Sequence, residues 1–312
     1  ININALNPSL LSQGTTYLNQ SVPNPYFGHI TVGTLAQATV PRYFLELPFS
    51  AYGNINEIFS DENRGKYNSM VVKVQKRLSQ GLTFLSTLTW SKNQDESSGG
   101  PGNSLNGGAQ GYPQNPYNMA AEYALSNVNS PIRWATAISY TLPFGAGKPY
   151  LNSSKWMDYV FGGWTYNAVA VYQTGFPLQI YQNDSNSQYG YGAQRPNYVA
   201  GINPSVSGSV ESKIYNYFNT AAFSAAPQGT FGNLSRTIPL RGPGQKNWDM
   251  SLFKTVAIKE RFQAQFRFEA LNALNSPLFA SPDTNLSSST FGVVNTQSNF
   301  SRQLQLALRF SF

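Results

Sequence analysis

Apolar and polar residues alternate with a period of two in the last third of the chain. From Phe262 to Ala270 the positions Phe262, Ala264, Phe266, Phe268 and Ala270 are apolar, while Arg261, Gln263, Gln265, Arg267 and Glu269 between them are polar. The final segment repeats this with Leu304, Leu306, Leu308, Phe310 and Phe312 against Gln303, Gln305, Ala307, Arg309 and Ser311. A helix cannot give this pattern, because neighbours two apart on a helix point away from each other. Weaker alternation runs through Met70, Val72 and Val74, through Leu82, Phe84, Leu88 and Trp90, through Trp134, Ile138, Tyr140 and Leu142, and through Trp248, Met250, Leu252 and Val256. In the segment after Gly163 the faces are mixed, with Trp164, Tyr166 and Tyr172 on one side and Val169 and Val171 on the other. Seven strands are predicted, near 66 to 78, 82 to 94, 131 to 142, 162 to 175, 246 to 257, 260 to 272 and 301 to 312.

The connections alternate strictly between short and long, the longest being about 70 residues. A soluble sandwich has mostly short loops at both ends, whereas an outer-membrane barrel has short periplasmic turns and long extracellular loops. The fold class expected is therefore all-β, an antiparallel up-and-down transmembrane β-barrel segment of about seven strands that forms an open curved sheet by itself. If the chain ends at the periplasmic rim, the turns at 79–81 and 258–260 and the stretch 143–161 are periplasmic. Segments 95–130, 176–245 and 273–300 then lie outside. Residues 1–65 are expected to form an extracellular loop and a weakly patterned N-terminal part, and residues 66–312 the strands.

On this reading Phe262, Phe266, Phe268, Leu304, Leu306 and Leu308 face lipid. Lys76, Lys92 and Arg302 fall near strand ends, where a long side chain reaches the interface cheaply, but Lys254 sits deeper and fits poorly. Trp90, Trp134, Trp164, Trp248, Phe310 and Phe312 lie at strand ends and suit interfacial girdles.

Composition narrows the chemistry. The 312 residues include no Cys and one His, and only 11% are charged. No apolar run is long enough for a transmembrane helix. The net charge of +7 comes from scattered cations, so no nucleic-acid partner is expected. His29 lies outside every predicted strand and has no nucleophile beside it, so no catalytic residue, metal or cofactor is expected. The adjacent acids Asp61/Glu62 and Asp95/Glu96 read as solvated loop residues, with Ca²⁺ ligation as the alternative. Gly145-Ala146-Gly147-Lys148 is not a phosphate loop, because Leu142 stands where the first glycine belongs and Pro149 follows the lysine. The stretch from Lys155 to Gly162 has the pattern of a short amphipathic helix at a membrane surface. Tyr181, Tyr189, Tyr191 and Tyr198, set among Asn, Gln and Gly, are the candidate ligand-contacting residues of the longest loop.

Several stretches carry a resemblance in chain order. They are Tyr67-Asn68-Ser69-Met70, Thr89-Trp90-Ser91-Lys92, Leu142-Pro143-Phe144-Gly145, Gly162-Gly163-Trp164, Tyr172-Gln173-Thr174-Gly175, Arg241-Gly242-Pro243-Gly244 with Asn247-Trp248-Asp249, Phe268 through Asn275, and Arg302 to Phe312. From about residue 66 onward the chain resembles the C-terminal barrel of TonB-dependent outer-membrane receptors of the Oar-like branch. The expected Asp-Arg-His-Arg run is missing around Pro131-Ile132-Arg133. The resemblance implies a receptor that takes up a scarce ligand such as a siderophore, oligosaccharide or peptide, in the outer membrane of a Gram-negative bacterium. It also implies partners: outer-membrane lipid, the TonB energy-coupling complex acting through N-terminal parts not present here, and the barrel-assembly machinery, for which Leu306, Leu308, Phe310 and Phe312 are the recognition signal. The alternatives are a passive porin, a surface adhesin barrel, or a soluble all-β carbohydrate-binding protein.

Overall fold

The computed structural model describes residues 1–57, 63–97, 113–183, 186–192, 194–259 and 262–312. Seven long strands run as β1 (Gly65–Ser79), β2 (Leu82–Asp95), β3 (Ile132–Thr141), β4 (Trp164–Gln173), β5 (Gln245–Lys259), β6 (Phe262–Leu271) and β7 (Gln303–Ser311). Each pairs antiparallel with its sequence neighbour, so the sheet is a simple meander with β1 and β7 at its open edges. The chain is all-β in its spanning part, and the strand positions match the period-two segments to within a few residues. No helix among the described residues is long and apolar enough to cross a membrane, which says nothing about crossing with strands.

The registers put one side of every strand on a common face. Val72 pairs with Leu88, Leu88 with Trp134, Trp134 with Tyr172, and Leu252 with both Tyr166 and Phe268, which pairs in turn with Leu306. The apolar residues of the period-two stripes thus share one surface. On the opposite surface polar side chains bond across strands. Ser139 Oγ donates to Asn167 Oδ1 at 2.8 Å, Asn167 Nδ2 to Ser251 Oγ at 3.3 Å, and Gln265 Nε2 to Thr255 Oγ1 at 3.1 Å. The mixed pattern of β4 has its reason here. Ala168 and Ala170 are buried on the apolar face beside the rings of Trp134, Tyr172 and Trp248, whose Nε1 donates to the Tyr172 hydroxyl at 3.1 Å.

Two glycines make the strand ends possible. The β1–β2 turn is Gln80-Gly81, and both residues have positive φ, 52° and 79°, as a two-residue hairpin requires. A side chain on Gly81 would also meet Thr141 O at 2.6 Å. At the other end Gly175 lies directly against the carbonyl of Gly242, where no Cβ fits.

At the turn end the β3–β4 connection contains helix α1 (Lys155–Phe161). At the opposite end the long connections and residues 1–57 fold together as a cap. One apolar cluster joins Leu178, Ile180, Tyr217, Phe218, Phe223, Leu234, Ile238 and Val294. A second joins Ala5, Leu6, Leu11 and Leu18 of the N-terminal segment to Tyr189 and Tyr191. Both buried clusters therefore lie in the cap.

Candidate ligand-entry site

Two of the long connections meet at neighbouring strand ends, and Arg241 fastens them there. Its Nη1 donates to Asn129 O at 2.7 Å and to Gly175 O at 3.0 Å, while its own carbonyl accepts the Tyr217 hydroxyl at 2.9 Å. Burial pushes the Tyr217 phenol up to about 12, because ionising it would place a charge among apolar side chains. Arg241-Gly242-Pro243-Gly244, a motif that carried the resemblance, is thus a fastening point between connections.

A second polar knot holds the connection 96–131 against the connection 174–244. Glu122, 1% exposed, receives Arg195 Nη1 at 2.6 Å and the Gln114 amide at 3.0 Å. Gln114 in turn accepts from Arg195 N at 2.7 Å and donates to Gly232 O at 3.0 Å. Arg236 donates to Glu122 O at 2.9 Å and pairs with Asp95. A cleft of about 420 Å³ opens beside this knot, lined by Gln114, Asn115, Asn118, Phe231, Asn233 and Ser235 among others. Its two ionised groups neutralise each other, so the cleft presents amides, a hydroxyl and a ring.

Below the cap, a smaller pocket of about 260 Å³ is lined by polar residues, Asn247, Asp249, Asn272 and Asn299 among them, together with Lys246 and the apolar Leu271, Leu278 and Phe300. Asp249 Oδ1 accepts the Asn272 amide at 2.8 Å and Oδ2 accepts Asn247 Nδ2 at 3.0 Å, so the acid is held by neutral donors. Nearby in the third connection, Asp283 is held below the ordinary carboxylate range. Burial there works against ionisation and is outweighed by hydrogen bonds from Ser288, the Asn285 amide and Thr290.

The four candidate tyrosines divide. Tyr189 and Tyr191 are core residues, 0% and 5% exposed, and the Tyr191 hydroxyl donates to Leu6 O. Burial raises the Tyr191 pKa, and neither ring is open to a ligand. Both are corrections to the sequence reading, and the reason is that the N-terminal segment packs on them. Tyr181 is half-buried and pairs through its backbone with Asn285. Tyr198 stays exposed, with its hydroxyl on Ile202 O at 2.7 Å. Asp95 and Glu96 are likewise not a free acidic pair, since Asp95 binds Arg236 and Glu96 binds Arg64. The Arg64 side-chain hydrogen bond is the main cause of the lowered Glu96 pKa. Asp61 and Glu62 lie outside the described residues, as do Glu260 and Arg261 of the β5–β6 turn. Among the described residues His29 is exposed.

The residues called lipid-facing all share the apolar sheet face, and Phe262, Phe266, Phe268, Leu304, Leu306 and Leu308 are exposed, Leu306 at 66%. Two polar side chains on that face bond within the sheet. Trp134 Nε1 donates to Ser86 Oγ at 2.8 Å, and Thr136 Oγ1 to Leu85 O at 3.1 Å. Lys254, the misfit of the sequence pattern, pairs in register with Trp164 at the first residue of β4, so the stagger between strands brings it to the rim. Its ammonium bonds the Gly162 carbonyl, approaches Asp158 O at 3.4 Å and lies 5.6 Å from the Trp164 ring centre.

Sequence reasoning missed the Glu122–Arg195 knot and the buried amides of the cap. Asn4 Nδ2, for example, donates to the carbonyls of Phe49, Tyr52 and Gly53. The one available signal was the scarcity of charge, which makes an acid and an arginine inside uncharged loops conspicuous.

A family model described as an outer membrane beta barrel domain matches residues 2–305. No curated protein matches the sequence. The crystal structure of the outer membrane transporter YddB from Escherichia coli is similar with a TM-score of 0.38 and 11% identity over 80% of this chain and 25% of that one. The chain thus spans about a quarter of that transporter's length.

Proposed function

The chain belongs to the outer membrane beta barrel domain family and is a protein of the outer membrane; from that premise we propose that it forms part of the barrel of a TonB-dependent receptor of the Oar-like kind, taking up a scarce ligand without covalent chemistry. The observation that carries this reading is the contrast between the two ends of one meander. Tight turns and a short helix close one end, and a packed cap with polar clefts closes the other. In a receptor the cap captures the ligand, the polar strand face lines its route, and energy coupling through other parts of the receptor opens the way. The apolar strand face then meets lipid, and the alternating segment ending in Phe312 presents the edge that the assembly machinery pairs with.

These 312 residues contain no cysteine, so once any cysteine elsewhere in the receptor is changed to Ser a single introduced thiol reports topology. In the full-length receptor on intact cells, Ser207→Cys in the cap is expected to react with a membrane-impermeant maleimide. Lys148→Cys at the turn end is expected to react only after the outer membrane is permeabilised, and the opposite pattern overturns the orientation. Ligand uptake that persists after the inner-membrane proton gradient is dissipated would replace the receptor by a passive porin.

A further inference from the structure

Helix α1 carries a feature that neither transport nor barrel closure uses. Trp156, Tyr159 and Val160, spaced i, i+3 and i+4, form one stripe, and all three are exposed, Trp156 at 60%. The opposite side of the helix is fixed inward. Asp158 Oδ1 accepts the Ala146 amide at 2.6 Å, a Cβ on Gly145 would meet Gly162 Cα at 2.5 Å, and one on Gly162 would collide with Asp158. The helix is therefore held rigidly with its aromatic stripe outward.

Its position relative to the sheet follows from two contacts. Trp164 Nε1 donates to Val160 O at 2.9 Å, and Lys254 bonds the carbonyls at the helix C-terminus, where a cation also complements the helix dipole. Both Trp164 and Lys254 belong to the apolar face by register. The aromatic stripe thus continues the apolar face past its rim. The surrounding chain is basic: among the described residues the segments 76–81 and 143–163 hold four cations, Lys76, Arg77, Lys148 and Lys155, against the one acid Asp158, which is engaged internally.

We infer that α1 is an interfacial anchor whose aromatic stripe inserts among the headgroups of anionic phospholipid in the leaflet at the turn end, with Lys148 and Lys155 on the lipid phosphates. An exposed aromatic and aliphatic stripe next to cations is the arrangement such an interface rewards, since rings bury their apolar bodies while the amines stay at phosphate level. The same seating removes Lys254 from hydrocarbon, because the helix covers it. The inference rests on the lipid-facing assignment of the apolar face, and the experiment separates the two.

Single-tryptophan forms of the full-length protein, with the other four tryptophans of this chain and every tryptophan elsewhere in the protein changed to Phe, retain either Trp156 or Trp90. They are folded into vesicles of phosphatidylcholine brominated near the headgroup or near the chain terminus, with or without phosphatidylglycerol. Trp156 is expected to be quenched about twofold or more by the shallow bromines and little by the deep ones, as an interfacial ring would be. Phosphatidylglycerol should increase that quenching, and Lys148→Gln with Lys155→Gln should abolish the increment. Quenching of Trp90 without quenching of Trp156 overturns the anchor and leaves the lipid-facing sheet intact. No quenching of either overturns both, and quenching of Trp156 insensitive to phosphatidylglycerol overturns the assignment of an anionic lipid.

Discussion

The sheet and the cap use the same side chains to opposite ends. Leu304, Leu306 and Phe310 stand exposed on β7, whereas Leu6, Phe218 and Tyr189 are sealed inside the cap. A water-soluble protein with the first arrangement would bear a large sticky patch, and one with only the second would need no patterned strands at all. On the proposed reading the difference lies in the solvent: an apolar sheet side turned to lipid needs no covering layer, while a cap in water must build an interior of its own.

Breaking the cap from inside is expected to have the largest effect. Glu122→Ala leaves Arg195 buried without its partner and should cost about 3–5 kcal/mol, read as proteolysis of the connections 96–131 and 174–244 while the strands stay resistant. If the strands become digestible at the same time, cap and sheet are not the separable regions described.

Next comes the lipid face. Leu306→Arg in the full-length barrel should lower stability in urea by about 2–4 kcal/mol when folded in vesicles, and Gln305→Arg, one residue away on the polar face, should cost far less. Equal losses would erase the distinction between the faces.

The smallest effects are those of pH, and both act in the cap or at its margin. Tyr217 has its pKa raised, so its stabilising contribution is complete below about 10, the value in an unfolded chain, and is lost as pH rises through about 12. Alkaline titration followed by tyrosinate absorbance should show this late step, and Tyr217→Phe should remove it at a cost of about 1 kcal/mol near neutrality. Glu96 has its pKa lowered by Arg64 first of all, so its contribution is present above the ordinary carboxylate value and fades as pH falls through the lowered one. Protease sensitivity near Arg64 should rise on acidification and should not do so in Glu96→Gln, which is already altered at neutral pH.

The two regions also differed in how far they could be read beforehand. Strand positions and facing were legible because a period of two repeats over ten or more residues, as in β6 and β7, and because both turn lengths and loop lengths obey one rule. Even the misfits had local causes: Val169 and Val171 face the polar side because Ala168 and Ala170 must sit small beneath Trp134, Tyr172 and Trp248. The cap gave no such signal. Its decisive contacts join Asn2 to Gly190 and Tyr191 to Leu6, across most of two hundred positions, and no repeat announces them. The polar neighbours of Tyr189 and Tyr191 therefore point to the loop surface, whereas the segment that buries them lies in the poorly patterned first fifth of the chain. Glu122 and Arg195 escaped notice for the same reason, each being unexceptional until the other is placed beside it.

One small junction has a mechanical meaning. A single guanidinium, that of Arg241, clasps the carbonyls at the roots of two separate loops, and its own backbone is gripped by a third stretch of the same cap. A pull on either loop is therefore shared between both roots at this one side chain before it reaches the strands.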